Sequence, residues 1–109
     1  MKSLIIIPAY NEEACIENTV HDIIEHAPDF DYVIINDCSK DRTKEICEQN
    51  HFNYIDLPVN LGIGGAVQTG YRYAYSHGYD YAVQVDGDGQ HDPRFLEQML
   101  QVVQEKNLD

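Results

Sequence analysis

Four short apolar runs, each followed by a stretch with helical character, constrain this chain more than any other feature. Residues 2–7 lead up to Pro8, apolar without a break from Leu4; residues 32–35 and 81–85 are two more, and residues 52–57 are a weaker fourth. Continuous apolar runs, in place of strict alternation, fit strands covered on both faces, the habit of parallel sheets. After the first run Ile16, Val20, Ile23, Ile24 and Ala27 recur at i, i+4, i+7, i+8 and i+11, one apolar helical face. Asn11 is placed to cap that helix, with Glu12 and Glu13 against the positive end of its dipole, and Pro28 with Asp29 ends it. Ser39 or Asp41 can cap a second helix that turns Ile46 and Cys47 inward. A third is reached through Asn60-Leu61-Gly62-Ile63-Gly64-Gly65, carries Ala66, Val67, Gly70 and Ala74, and stops at Gly78. Asp92 as cap and Pro93 as first helical residue open a fourth, with Leu96, Met99, Leu100 and Val103 inside. Four β–α units in succession predict a Rossmann-like, three-layer α/β/α fold around a mainly parallel sheet, joined by right-handed crossovers.

At 109 residues the chain holds one domain at most. No apolar run approaches the roughly 18 residues of a membrane span, and Leu4-Ile5-Ile6-Ile7 is too short for a signal-peptide core, so a cytoplasmic location is expected. Seven Lys and Arg against nineteen Asp and Glu give a net charge of −12. Such a surface repels nucleic acid and anionic lipid, and a phosphorylated ligand needs local help from a metal or from helix N-termini. Cys15, Cys38 and Cys47 make neither a CxxC metal pair nor an even disulfide set, and read as reduced thiols.

In open α/β sheets ligands sit outside the carboxyl ends of the strands. Those ends here carry Pro8-Ala9-Tyr10-Asn11-Glu12, Asn36-Asp37-Cys38-Ser39 and Asp86-Gly87-Asp88. The last is the sharpest signal. An apolar run delivers two carboxylates, two residues apart and so on one side of an extended backbone. Gly87 and Gly89 loosen the turn and leave room for a ligand. Two carboxylates so placed suit a hard divalent cation. A calcium loop would set Asp86, Asp88 and Glu97 at positions one, three and twelve, but His91 stands where that loop needs glycine and Pro93 intrudes. An aspartyl-phosphate phosphatase also opens on D-x-D, yet it needs a small hydroxylated or branched residue where Gln90 stands. The stretch from Gly62 to Val67 lacks the third glycine of a dinucleotide fingerprint and the Gly-Lys-Ser/Thr of a P-loop.

Taken in order, these words resemble the nucleotide-sugar-binding half of inverting glycosyltransferases with the GT-A fold, the nucleotide-diphospho-sugar transferase type. They are Pro8-Ala9-Tyr10-Asn11-Glu12, the run from Asn36 to Thr43, Asn60-Leu61-Gly62 with Gly64-Gly65-Ala66, and the run from Asp86 to Pro93. The look is that of polyprenyl-phosphate hexose transferases of the dolichyl-phosphate mannose synthase type, and it covers essentially the whole chain. Two departures are visible: Cys38 stands where many relatives carry a flexible glycine, and Gly87 replaces the commoner alanine.

The resemblance implies a metal-dependent transfer of a hexose from a UDP- or GDP-linked donor to an acceptor, a polyprenyl phosphate or a glycan. It implies that Pro8, Ala9, Tyr10, Glu12 and Ile35 line the base and ribose pocket and that Asp37 accepts hydrogen bonds from the nucleoside. It places Asp86 and Gly87 by the ribose and the metal, with Asp86, Asp88 and Gln90 around Mg²⁺ or Mn²⁺. The catalytic base of the family lies further along than residue 109, so residues 1–109 are expected to be the donor-binding part only, incomplete at the C-terminus. The apolar face left by a missing half would favour self-association into a homo-oligomer, and in the full-length protein the site would lie at the cytoplasmic face of a membrane. The rival expectation is a non-catalytic nucleotide-binding or oligomerising domain.

Overall fold

The computed structural model describes residues 2–85. Within them run β1 (Ser3–Ala9), α1 (Ile16–His26), β2 (Asp31–Asn36), α2 (Thr43–Gln49), β3 (Tyr54–Asp56), α3 (Gly62–Ser76) and β4 (Tyr81–Gln84). The strands form one sheet in the order β3-β2-β1-β4, every pair parallel. The chain steps outward from β1 through β2 to β3, then returns across the sheet to the free side of β1. Crossovers of one hand put the helices of the outward steps on one face and the returning helix on the other. The core divides accordingly. Ile5, Ile7, Ala9 and Ile34 pack with Ile16, Val20, Ile23 and Cys47 of α1 and α2. Leu4, Ile6, Val33 and Ile35 pack with Ala66 and Ala74 of α3. Successive strand residues thus meet different helices, which is why the runs are apolar without a break.

Several boundaries differ from those expected. β1 continues through Pro8 to Ala9. The Ile6 carbonyl faces β4, where it accepts from the Val85 amide; Pro8, two residues on, faces the same side beyond the last β1–β4 pair, Ile6 with Gln84. Among the described residues no β1–β4 pair lies there to need the N–H that proline lacks. α1 starts at Ile16, because Asn11 adopts a left-handed φ of 55° and does not cap it. Ile24 is exposed, which narrows the buried face of α1 to Ile16, Val20, Ile23 and the adjoining Ala27. β3 is an edge strand of only three residues, and Phe52 leaves it to pack edge-on against Tyr32 and His21. The expected fourth helix lies outside the described residues.

α3 lies close on the sheet. A Cβ at Gly70 would come within 2.3 Å of Ile6 Cγ2, so the contact needs glycine. Gly78 ends the helix segment with φ 73°, a backbone that other residues adopt only with strain. The tyrosines near that end divide by role. Tyr73 stacks on His77 at 4.0 Å, Tyr79 donates to Asp31 Oδ2 at 2.7 Å and carries Lys2 Nζ 4.5 Å from its ring centre, and Tyr81 is buried. Tyr71 and Tyr75 are exposed. This group sits where β2 and β4 begin, at the opposite end of the sheet from the carboxyl edge. Among the described residues no helix is long and apolar enough to cross a membrane.

Candidate functional site

The winding reverses at β1, with β2 on one side and β4 on the other. Such a reversal opens a crevice beyond the carboxyl ends of the strands. The β1–α1 loop, the β2–α2 loop and the end of β4 all reach it. At the end of β4 the Val85 amide donates to the Ile6 carbonyl at 2.9 Å, one residue before Asp86 in the sequence.

The first two loops are stitched together. Three consecutive amides, of Asn11, Glu12 and Glu13, donate to Ser39 Oγ at 3.0 Å, Thr43 Oγ1 at 2.9 Å and Asp41 Oδ2 at 3.1 Å. In return the Lys40 amide donates to Asn11 Oδ1 at 2.8 Å. Neither Ser39 nor Asp41 stands at the N-cap of α2, which is Arg42 and has no side-chain cap bond. Asp41, one residue earlier, accepts at Oδ1 from the Thr43 amide at 2.9 Å and from the Thr43 hydroxyl at 2.5 Å. Burial alone would raise the pKa of Asp41, but the bonds donated by Thr43 and Glu13 outweigh it and hold the carboxyl below its ordinary range. Ser39 instead donates to Asn36 Oδ1 at 2.5 Å, and Asn36 Nδ2 donates to Asp56 Oδ1 at 2.9 Å, which ties in β3.

Asp37 is buried at the end of β2. Its amide donates to the Ala9 carbonyl at 2.9 Å, and its Oδ1 accepts from the Leu61 amide at 2.7 Å. Its own carbonyl accepts from Asn60 Nδ2 at 3.1 Å. Asp37 therefore fixes the start of α3 with a negative charge at the positive end of that helix. Neighbouring Cys38 takes φ 58°, a left-handed backbone that glycine enters freely. That is the physical sense of the glycine that the resemblance leads one to expect there.

The expected site residues thus separate. Tyr10 stands 41% exposed at the rim, and Glu12 is half-buried beside it. Pro8 and Ala9 are buried at the tip of β1. Ile35 requires correction: it has no accessible surface and packs under α3, so it supports the rim and does not line it. Asp86, Gly87, Asp88 and Gln90 lie outside the described residues. Among the described residues no three His, Cys, Asp or Glu side chains gather as a metal site. Sequence reasoning missed the stitching by Asn36, Thr43 and Asn60. Its signal was the alternation Ser39, Asp41, Thr43, an acceptor oxygen at every second residue, more than one helix cap requires.

The sequence model of Glycosyl transferase family 2 matches residues 4–109. The chain belongs to that family. Among family 2 relatives it is 31% identical over 113 residues to an undecaprenyl-phosphate mannosyltransferase of Micrococcus luteus, covering 99% of this chain and 46% of that protein. It is 38% identical over 116 residues to a UDP-N-acetylglucosamine–dolichyl-phosphate N-acetylglucosaminyltransferase of Methanococcus voltae, covering 91% and 46%. The chain spans about half the length of these curated relatives. In structure it is similar to residues 1–349 of Staphylococcus aureus TarS, with a TM-score of 0.75 at 24% identity over 96% of this chain and 33% of that one. It is also similar to glucosyl-3-phosphoglycerate synthase of Mycobacterium tuberculosis in complex with Mn²⁺, UDP and glucosyl-3-phosphoglycerate, with a TM-score of 0.73 at 22% identity over 94% and 39%. The sheet and its helices are the N-terminal part of the GT-A fold, as expected from the sequence.

Proposed function

We propose that this chain is the donor-binding part of a glycosyltransferase that moves a hexose from a UDP- or GDP-linked donor to a polyprenyl phosphate. The observation that carries the reading is the stitched rim at the sheet's reversal point, where the family words after β1 and β2 meet. Two relatives are named for lipid-phosphate acceptors, and structural neighbours carry UDP or GDP-mannose with Mn²⁺. Tyr10 offers an exposed ring on which a base can lie. Asp37 offers an acceptor to the nucleoside, by the carboxylate oxygen that Leu61 leaves free. Asp86, Asp88 and Gln90 supply the oxygen ligands that a hard Mg²⁺ or Mn²⁺ ion takes. Such an ion, when bound, stabilises the negative charge that grows on the departing diphosphate. A phosphate acceptor is already ionised and asks less of a general base than a hydroxyl does. We place the reaction on the cytoplasmic side of a membrane, a setting that suits the three free cysteines.

The test is calorimetric titration of the chain with UDP and with GDP, each with and without Mn²⁺. Binding that strengthens at least about tenfold with the ion, a difference of about 1.4 kcal/mol, is the expected outcome. Binding of neither nucleotide, or binding indifferent to the metal, would refute the assignment.

A further inference from the structure

We propose that Thr43 and Asp41 are positioning residues for the nucleotide site, clamping the β1–α1 loop, and with it Tyr10 and Glu12, in the shape that receives the donor. The inference rests on the donor-binding reading and deepens it, because neither residue is assigned any contact with the ligand.

Thr43 has no accessible surface, so its hydroxyl serves the protein's interior. That hydroxyl accepts the Glu12 amide and donates to Asp41 Oδ1, while Asp41 Oδ2 accepts the Glu13 amide. The loop lacks a ladder of its own at this point, since strand β1 ends at Ala9. The clamp reaches further through Glu12, whose carbonyl accepts from the Cys15 and Ile16 amides where α1 begins, at 3.0 and 2.8 Å. One buried hydroxyl and one carboxylate therefore set both the path of the loop beside Tyr10 and the point at which α1 starts. Freed of them, the loop would visit other shapes, and apparent affinity falls in proportion to the time spent outside the competent one.

The experiment compares Thr43→Val, which keeps the side chain's shape and loses the hydroxyl, with Thr43→Ser, which keeps the hydroxyl. Ile23→Val on the core face of α1 controls for lost stability. Affinity for UDP and GDP with Mn²⁺ is read by calorimetry, and exchange of the Glu12 and Glu13 amides by hydrogen–deuterium NMR. Thr43→Val should lose amide protection and bind about tenfold more weakly, as for a loop correctly shaped about a tenth of the time. Thr43→Ser should stay within about twofold of wild type on the same scale, as should Ile23→Val. Should Thr43→Val fail to fold, Asp41→Asn gives the same comparison, because it sets an amide group against the Glu13 N–H and leaves an acceptor for Thr43. Undiminished affinity with freely exchanging amides would overturn the proposal, as would unchanged protection in Thr43→Val or an equal loss in Ile23→Val. A wild-type chain that binds neither nucleotide would remove the site itself, and the clamp's purpose with it.

Discussion

Asp37→Ala and Asp37→Asn separate the two duties of one carboxylate. The bond from the Leu61 amide to Asp37 Oδ1 is 2.7 Å long and charge-assisted, and Asp37 is buried. Hydrogen bonds to charged groups contribute roughly 1.5–3 kcal/mol. Leu61 itself is half exposed, so water can reach its freed N–H, and the lower part of that range applies. For Asp37→Ala a loss of about 2 kcal/mol follows, which in a domain of this size lowers Tm by roughly 8–16 °C. Asp37→Asn keeps a carbonyl oxygen for Leu61. It gives up the charge at the helix N-terminus, about 0.3–1 kcal/mol, and the charged part of the bond, so about 1 kcal/mol is lost. Thermal unfolding followed by circular dichroism should therefore rank wild type above Asn above Ala. Nucleotide titration should rank the two variants together, both well below wild type, if the nucleoside needs the anionic oxygen. Equal melting temperatures for all three proteins would refute the structural argument. Wild-type nucleotide affinity in Asp37→Asn would refute the functional one.

Two further expectations concern the core. Gly70→Ala gains about 1 kcal/mol of helix propensity but drives a Cβ to 2.3 Å from Ile6 Cγ2, and overpacking of that kind costs about 1–3 kcal/mol. Urea denaturation should show a net loss, and a stabilised variant would mean that α3 rides higher on the sheet. Burial, followed by the charge of Asp56, pushes the Cys47 thiol from 9.0 up to about 11. Iodoacetamide at neutral pH should accordingly label Cys15 and Cys38 in the native protein and spare Cys47. Because the raised pKa belongs to the folded state, the unfolded thiol ionises first. Stability should then fall as pH climbs from 9.0 to about 11, and less steeply in Cys47→Val.

The layers were legible because the apolar signal was redundant: an unbroken run at residues 4–7 demands two covering faces, and Ile16, Val20 and Ile23 supply one of them. The rim was legible only in outline. Asn11 reads as a helix cap from its neighbours Glu12 and Glu13, yet its oxygen serves Lys40, 29 residues away. Local spacing cannot distinguish a cap for the next helix from an acceptor for another loop, since both use short polar side chains. Ile35 failed for a related reason. The resemblance put it in the pocket, but the parity of the strand turns it beneath α3, and parity becomes decisive only once the register with Pro8 is known. Cys38 shows the converse: a departure from the resemblance that became intelligible through its φ of 58°.

The occupied amides bear on where a diphosphate can rest. In dinucleotide-binding α/β folds the pyrophosphate lies on the N-terminus of the first helix, against free backbone N–H groups. Here the amides of residues 11–13 leading to α1 are filled by Ser39, Thr43 and Asp41. Two amides at the start of α3 are taken as well, the Leu61 amide held by Asp37 and the Gly62 amide donating to Asn60 Oδ1 at 3.2 Å. At each helix start one of these acceptors is a carboxylate, so an incoming phosphate would meet negative charge where other folds offer partial positive charge. The net charge of −12 offers no compensating field. On the proposed reading a diphosphate on this rim therefore needs a cation to carry it, and Asp86 and Asp88, one and three residues beyond Val85, are the residues proposed to bring one.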